Sequence, residues 1–167
     1  AAALAYEVGV PGDAIVRGLE GAKPEGGRQE VLAGKNGVTV INDAYNANPD
    51  SMKAALSMFC AMEVSGRRFA VLGDMGELGD FAKAGHEGVG AFVATQPIDR
   101  LLCIGELARD IADAAIKEGY PASRVSCFAT RREALDLLES ELTSGDAVLC
   151  KASHSMQLDK IAKELTD

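Results

Sequence analysis

Residues 38–52 read VTVINDAYNANPDSM, an apolar run that ends in a polar turn and hands over at once to a helix start. Val38, Val40 and Ile41 are β-branched and predict a buried strand. Asp43, Tyr45, Asn46 and Asn48 crowd the carboxyl end of that strand, where a ligand edge is expected. Asn48-Pro49-Asp50-Ser51 predicts a capped helix, because Asn accepts from orphan backbone N–H groups and Pro is tolerated at the first helical position. N–H groups of that first turn then face whatever binds. Physics alone leaves the stretch equally readable as a plain strand-turn-helix whose Asn residues only shape the turn.

Outward from this stretch the pattern repeats. Apolar runs of four or five residues at 69–72, 100–104, 125–128 and 147–150 alternate with helix-length segments at 51–63, 80–95, 106–118, 131–142 and 156–165. Short apolar runs bounded by Gly or Pro, between helices of ten residues or more, predict a mainly parallel sheet covered on both faces. Upstream, 30–33 and 38–41 flank Gly34-Lys35-Asn36-Gly37, whose Asn-Gly chemistry predicts a β-hairpin. The fold class is therefore α/β: a Rossmann-like, doubly wound sheet of about six strands, opening on a hairpin. In such a fold ligands sit beyond the carboxyl ends of the strands, here the loops at 43–48, 73–79, 105–106, 129–130 and 151–155.

The first residues form a separate piece. Residues 1–8 favour helix, 9–12 break it, and 13–19 resume a short apolar-periodic helix with too little surface to fold alone. Gly21 to Gly27, GAKPEGG, has linker composition, so a boundary is expected between 1–26 and 27–167. Starting inside a helical pattern and without Met, the chain reads as a piece excised from something longer.

Net charge is −8, with 17 Lys and Arg against 25 Asp and Glu. That balance disfavours a nucleic-acid backbone or an anionic membrane as partner, although local basic clusters can still bind phosphate. No apolar run reaches membrane-span length and no leader pattern opens the chain, so a cytoplasmic protein is expected. Cys60, Cys103, Cys127 and Cys150 are widely spaced in apolar contexts and are expected to be small core residues; with only His86 and His154 beside them, no zinc site is suggested.

Two motifs, NDAYNANPDSM at 42–52 and VLGDMGELGD at 71–80, followed by His86, make the chain resemble the carboxy-terminal domain of the Mur ligases, on the branch that adds D-alanyl-D-alanine. The likeness runs from about Gly27 onward, and the preceding segment resembles the last helices of the family's central ATPase domain. It implies an amide ligase that uses ATP and magnesium to join UDP-N-acetylmuramoyl-tripeptide to D-alanyl-D-alanine in peptidoglycan precursor synthesis. The present domain would be a lid, inactive alone. Magnesium and the phosphate loop would belong to the missing amino-terminal and central domains of a monomeric enzyme. The residues upstream of Ala1 should then contain a Gly-rich loop ending in Lys-Ser or Lys-Thr.

By the same likeness Arg28 and Asp43 would contact ATP, an Arg and an Asp being suited to phosphate oxygens and ribose hydroxyls. Tyr45, Asn46, Asn48, Lys151, Ser153 and Ser155 would contact the acceptor. Read without it, Arg28 is a solvated charge and Asp43 a cap. Lys151-Ala152-Ser153-His154-Ser155 combines a cation, hydroxyls and an expected helix amino terminus, a receptor for carboxylate; its bland reading is Ser155 as N-cap and Lys151 as surface charge. The family pattern here is Lys-Gly-Ser-Arg, so Ala152 and His154 depart from it, and His154 is no permanent bidentate cation. Gly73 to Gly79 lacks the Lys-Ser/Thr that completes a phosphate loop. Its Asp74 and Glu77 read as caps or as neighbours of a magnesium-bound water, and His86 as a structural hydrogen-bonding residue. No catalytic residue or metal ligand is expected in the chain. Three alternatives stay open: a Mur-type ligase for another amino acid, a non-catalytic Rossmann-like binding module, and a protein-interaction domain with an exposed apolar patch.

Overall fold

Each apolar run becomes a strand and each amphipathic segment a helix, in a computed structural model that describes residues 1–21 and 26–167. Two short helices, α1 (Ala2–Glu7) and α2 (Gly12–Glu20), come first and bury none of their residues. Residues 22–25 of the expected linker lie outside the described residues. The remainder runs β1 (Glu30–Ala33), β2 (Thr39–Asn42), α3 (Pro49–Ala61), β3 (Arg68–Gly73), α4 (Ala82–Val93), β4 (Arg100–Ile104), α5 (Ala108–Lys117), β5 (Val125–Phe128), α6 (Arg131–Glu141), β6 (Ala147–Lys151) and α7 (Asp159–Thr166).

The strands form one sheet in the order β1-β2-β6-β3-β4-β5, with β1 antiparallel to β2 and every other pair parallel. The expected doubly wound sheet opening on a hairpin is thus present. At the hairpin tip Asn36 and Gly37 both take positive φ, as Asn-Gly turn chemistry requires.

Side-chain alternation sorts the core into two layers. Ile41, Ala70, Leu72, Leu101, Cys103 and Leu149 face α3, α4 and α5; Val40, Phe69, Val71, Leu102, Ile104, Val148 and Cys150 face α6 and α7. Burying a Leu- or Phe-sized side chain contributes roughly 1.5–3 kcal/mol, so these layers are the main source of stability. α4 packs tightly on α5 at Gly90, where an added Cβ would lie 2.9 Å from the Ala114 methyl and closer still to the Ile111 carbonyl.

Helix starts follow local chemistry. Asn48 caps α3 through a reciprocal box with Ser51, 2.8 Å and 3.0 Å, with Pro49 at the first position. Three expected helices begin later than their periodicity indicated, the 80–95 segment at Ala82 after a 3-10 turn at Gly79–Phe81. The 106–118 segment becomes helical at Ala108, whose N–H is capped by Asp74 Oδ1 at 2.7 Å. The 156–165 segment begins at Asp159, because Gln157 takes a left-handed φ of 52° after a 3-10 turn at His154–Met156. The expectation that the 151–155 loop runs straight into a helix amino terminus is therefore corrected, and the bland reading of Ser155 as that helix's N-cap fails with it. So is the expectation of four core cysteines: Cys103 and Cys150 are buried, Cys60 is half-buried and Cys127 is exposed.

Candidate functional site at the carboxyl end of the sheet

Strands β2, β6 and β3 are neighbours, so the loops that leave their carboxyl ends meet. The pairing of β2 with β6 runs past its last residue through Asp43 N–H to Cys150 O, 2.9 Å. The loop after β6 is tied to the loop after β3 by Ser153 N–H to Asp74 O, 3.0 Å, and by Gly76 N–H to Ser153 Oγ, 2.7 Å. From the other side the segment before β1 closes on the loop after β2. Tyr45 N–H donates to Gly27 O at 3.0 Å and Gln29 N–H to Asp43 Oδ1 at 3.1 Å, with positive φ at both Gly27 and Gln29.

Two clefts result. One, of 340 Å³, is lined by Arg28, Gln29, Asp43, Asn48, Ser51 and Lys151; the other, of 360 Å³, by Gly76, Glu77, Ser153, His154 and Ser155. Tyr45 and Asn46 line both. The Tyr45 ring meets a residue of each cleft: the Arg28 guanidinium carbon lies 4.1 Å from its centroid, and the His154 ring centroid lies 6.0 Å away. An Arg over an aromatic face contributes roughly 0.5–1 kcal/mol at an exposed site, enough to bias the ring's orientation.

Lys151 is not a surface charge. Its ammonium is buried against the Asp43 carboxylate, 2.7 Å, and also donates to the carbonyls of Asn46, 3.0 Å, and Asp43, 3.4 Å. Those bonds fix the shape of the 43–46 loop. Asn48 Oδ1 is committed to the helix cap, and Asn46 Oδ1 accepts from Ala47 N–H at 2.8 Å. Ser153 Oγ accepts from Gly76 N–H, leaving its own O–H able to donate.

Arg28, Asp43, Tyr45, Asn46, Asn48, Lys151, Ser153 and Ser155 thus all gather at one end of the sheet. Sequence reasoning did not anticipate that Asp43 and Lys151, assigned to different ligands, are partners of each other. The roles of the residues behind the site are plain. Asp74 caps α5, while His86 is fully buried, its Nε2 accepting from Met75 N–H at 2.9 Å and its Nδ1–H donating to Ala82 O at 2.6 Å. The Ala152 methyl packs where a Cβ on Gly73 would come within 2.8 Å, so residue 73 has room only for Gly. Among the described residues no cluster of His, Cys, Asp and Glu could hold a metal ion, and no helix is long and apolar enough to cross a membrane.

Residues 27–154 match the family described as Mur ligase, glutamate ligase domain. The chain is 40% identical over 166 residues to UDP-N-acetylmuramoyl-tripeptide–D-alanyl-D-alanine ligase of Bacillus subtilis, covering 99% of this chain and 36% of that protein. It is 38% identical over 184 residues to the enzyme of the same name from Mycobacterium bovis, again 99% and 36%. A crystal structure of MurF from Acinetobacter baumannii superposes with a TM-score of 0.81 at 30% identity, covering 96% of this chain and 35% of that one. The chain spans little more than a third of the length of these relatives. Matched to the family over residues 27–154 and superposing on one of its solved members, the chain belongs to the Mur ligase family and carries that family's glutamate ligase domain.

Proposed function

We propose that the chain is the closing domain of an ATP-dependent ligase that joins UDP-N-acetylmuramoyl-tripeptide to D-alanyl-D-alanine in the cytoplasm, the activity in its relatives' names. The observation that carries this reading is the pair of clefts that share Tyr45 and Asn46, because a lid over two substrates needs two adjoining surfaces. The cleft of Arg28 and Asp43 has the donors and acceptors for a ribose and one phosphate oxygen. It has no phosphate loop and no carboxylate cluster for magnesium. Those belong, on this reading, to preceding domains of one monomeric enzyme, of which residues 1–26 are the end and the linker.

The cleft of Ser153, His154 and Ser155 then takes the acceptor dipeptide, with hydroxyl and imidazole donors for its carboxylate. Tyr45 and Asn46 position both ligands, while Asn48 and Lys151 act through the loop they hold. In the reaction the tripeptide carboxylate is phosphorylated by ATP, the dipeptide amine attacks the acyl phosphate, and phosphate leaves as the amide forms. The lid orients the amine and excludes water.

The test uses the full-length protein. Phosphate release should require both UDP-N-acetylmuramoyl-tripeptide and D-alanyl-D-alanine, and Asp43→Ala should raise the KM for ATP or depress turnover. Release with a single amino acid as acceptor would instead identify another Mur-type ligase, and an unchanged Asp43→Ala enzyme a module whose Asp43 plays no part. The 167-residue chain alone should bind ATP weakly, so micromolar affinity by calorimetry would overturn the division of labour between domains.

A further inference from the structure

The parallel register of β4 and β5 sets Cys103 opposite Cys127. Register partners on neighbouring strands project to the same face of the sheet, here the face covered by α5. Neighbouring strands lie roughly 4.7–4.9 Å apart, inside the window of about 4.4–6.8 Å between Cα atoms that a disulfide requires. The two thiols differ in access. Cys103 is buried, whereas Cys127 lies on the outermost strand and is exposed.

Their surroundings make Cys127 the nucleophile. A hydrogen bond from the Cys103 thiol lowers the Cys127 thiol to about 7, against the opposing effect of partial burial; Arg109 on α5 assists and Asp113 on the same helix opposes. The same hydrogen bond, with burial second, raises Cys103 well above the ordinary thiol range. Cys150, by contrast, is pushed up to about 12 by burial alone, and burial also raises Cys60. Since the thiolate is the reactive form, one cysteine of the four stands out.

We propose that Cys103 and Cys127 form an oxidisable dithiol, in which Cys127 is the site of attack on peroxide-class oxidants and Cys103 is the resolving thiol. The Cys127 thiolate attacks one peroxide oxygen, the O–O bond breaks, and the departing hydroxide takes up a proton to become water. Cys127, oxidised by two electrons, is then a sulfenic acid. The Cys103 sulfur attacks it, the S–O bond breaks, and the hydroxyl leaves as water with the Cys103 proton. Two thiols and one peroxide give one disulfide and two waters, and β5 is stapled to β4. Neither cysteine lines the two clefts, so the proposal is independent of the ligase reading.

The intact chain, exposed to hydrogen peroxide, then denatured, alkylated and digested, should yield a peptide pair linked through Cys103 and Cys127 and short of two hydrogens. Before oxidation, native alkylation by iodoacetamide should label Cys127 first, with a pH midpoint near 7. Cys103→Ala should move that midpoint toward the ordinary thiol value of about 8.5 and replace the disulfide by a dimedone-trapped sulfenic acid. Absence of the 103–127 link in the unsubstituted protein, or a Cys127 midpoint already near 8.5, overturns the proposal; neither readout depends on a variant folding.

Discussion

Lys151 Nζ stands 2.7 Å from Asp43 Oδ2, in a pair whose side chains are 3% and 11% exposed and which joins the carboxyl ends of β6 and β2. Both strands stop at this point, so the ion pair and the two carbonyl contacts from the same ammonium replace the ladder that ends there. Residues that looked like separate ligand contacts are in this respect one structural unit.

Lys151→Met is expected to cost about 3–5 kcal/mol, the usual penalty for leaving one member of a buried pair uncompensated. Urea unfolding measures it. Adding Asp43→Asn to Lys151→Met should recover part of the loss, giving less than the sum of the single effects; strict additivity would show that the pair behaves like two exposed charges.

Gly90 and Gly88 lie on one helix and should respond oppositely to alanine. At Gly90 the new methyl meets the Ile111 carbonyl and the Ala114 methyl, so overpacking of roughly 1–3 kcal/mol or more outweighs the gain of about 1 kcal/mol in helix propensity. At Gly88 the nearest atom is the flexible Lys53 Nζ at 3.7 Å, and Gly88→Ala should stabilise by about 0.5–1 kcal/mol. Thermal melts that ranked the two variants the other way would contradict the close α4 to α5 packing.

His86→Leu should destabilise by about 2 kcal/mol, because Met75 N–H loses its imidazole acceptor in a buried setting. The loop at 73–79 should loosen with it, which amide hydrogen exchange at Met75 and Gly76 would report. Unchanged protection there would remove His86 from the set of residues that hold the site.

At the opposite end of the sheet, burial alone would raise the Asp146 carboxyl. Hydrogen bonds from the Arg67 guanidinium, at 2.7 Å, and from the N–H groups of Arg67 and Thr143, with the Arg67 charge, outweigh burial and hold the carboxyl below its ordinary value. A carboxyl depressed on folding stabilises fully above the unfolded value of about 3.9, and that stabilisation disappears as pH falls through the lower folded value. Asp146→Asn should therefore cost about 2 kcal/mol at pH 7, and the gap to the unsubstituted protein should narrow as the pH drops below about 4. A gap that stays constant in that window would deny the carboxylate its role.

The strands were legible because a buried parallel strand is an unbroken apolar run, and 100–104 and 125–128 were read at their observed bounds. The start of α3 was legible because Asn48 and Ser51 cap through bonds spanning three residues. What escaped was whatever long-range contact decides. The later start of α7 turns on a left-handed Gln157, a residue with no local preference for that conformation, bonded through its side chain to Arg131. The Lys151 to Asp43 pair joins residues 108 apart, and charge type alone cannot say whether such groups meet a ligand or each other. The exposure of Cys127 follows from β5 being the outer strand, which the order of apolar runs does not reveal.

The sheet order carries one more consequence. The last strand of this sheet in chain order, β6, sits between β2 and β3 and, among the described residues, is their only bridge. While the ribosome has yet to release residues 147–151, the nascent polypeptide can form at most a hairpin and a separate three-stranded ribbon, each with a raw flank. Assembly must then finish in one late insertion, and a chain cut short just before Ala147 would leave two unjoined parts of the sheet with adhesive edges.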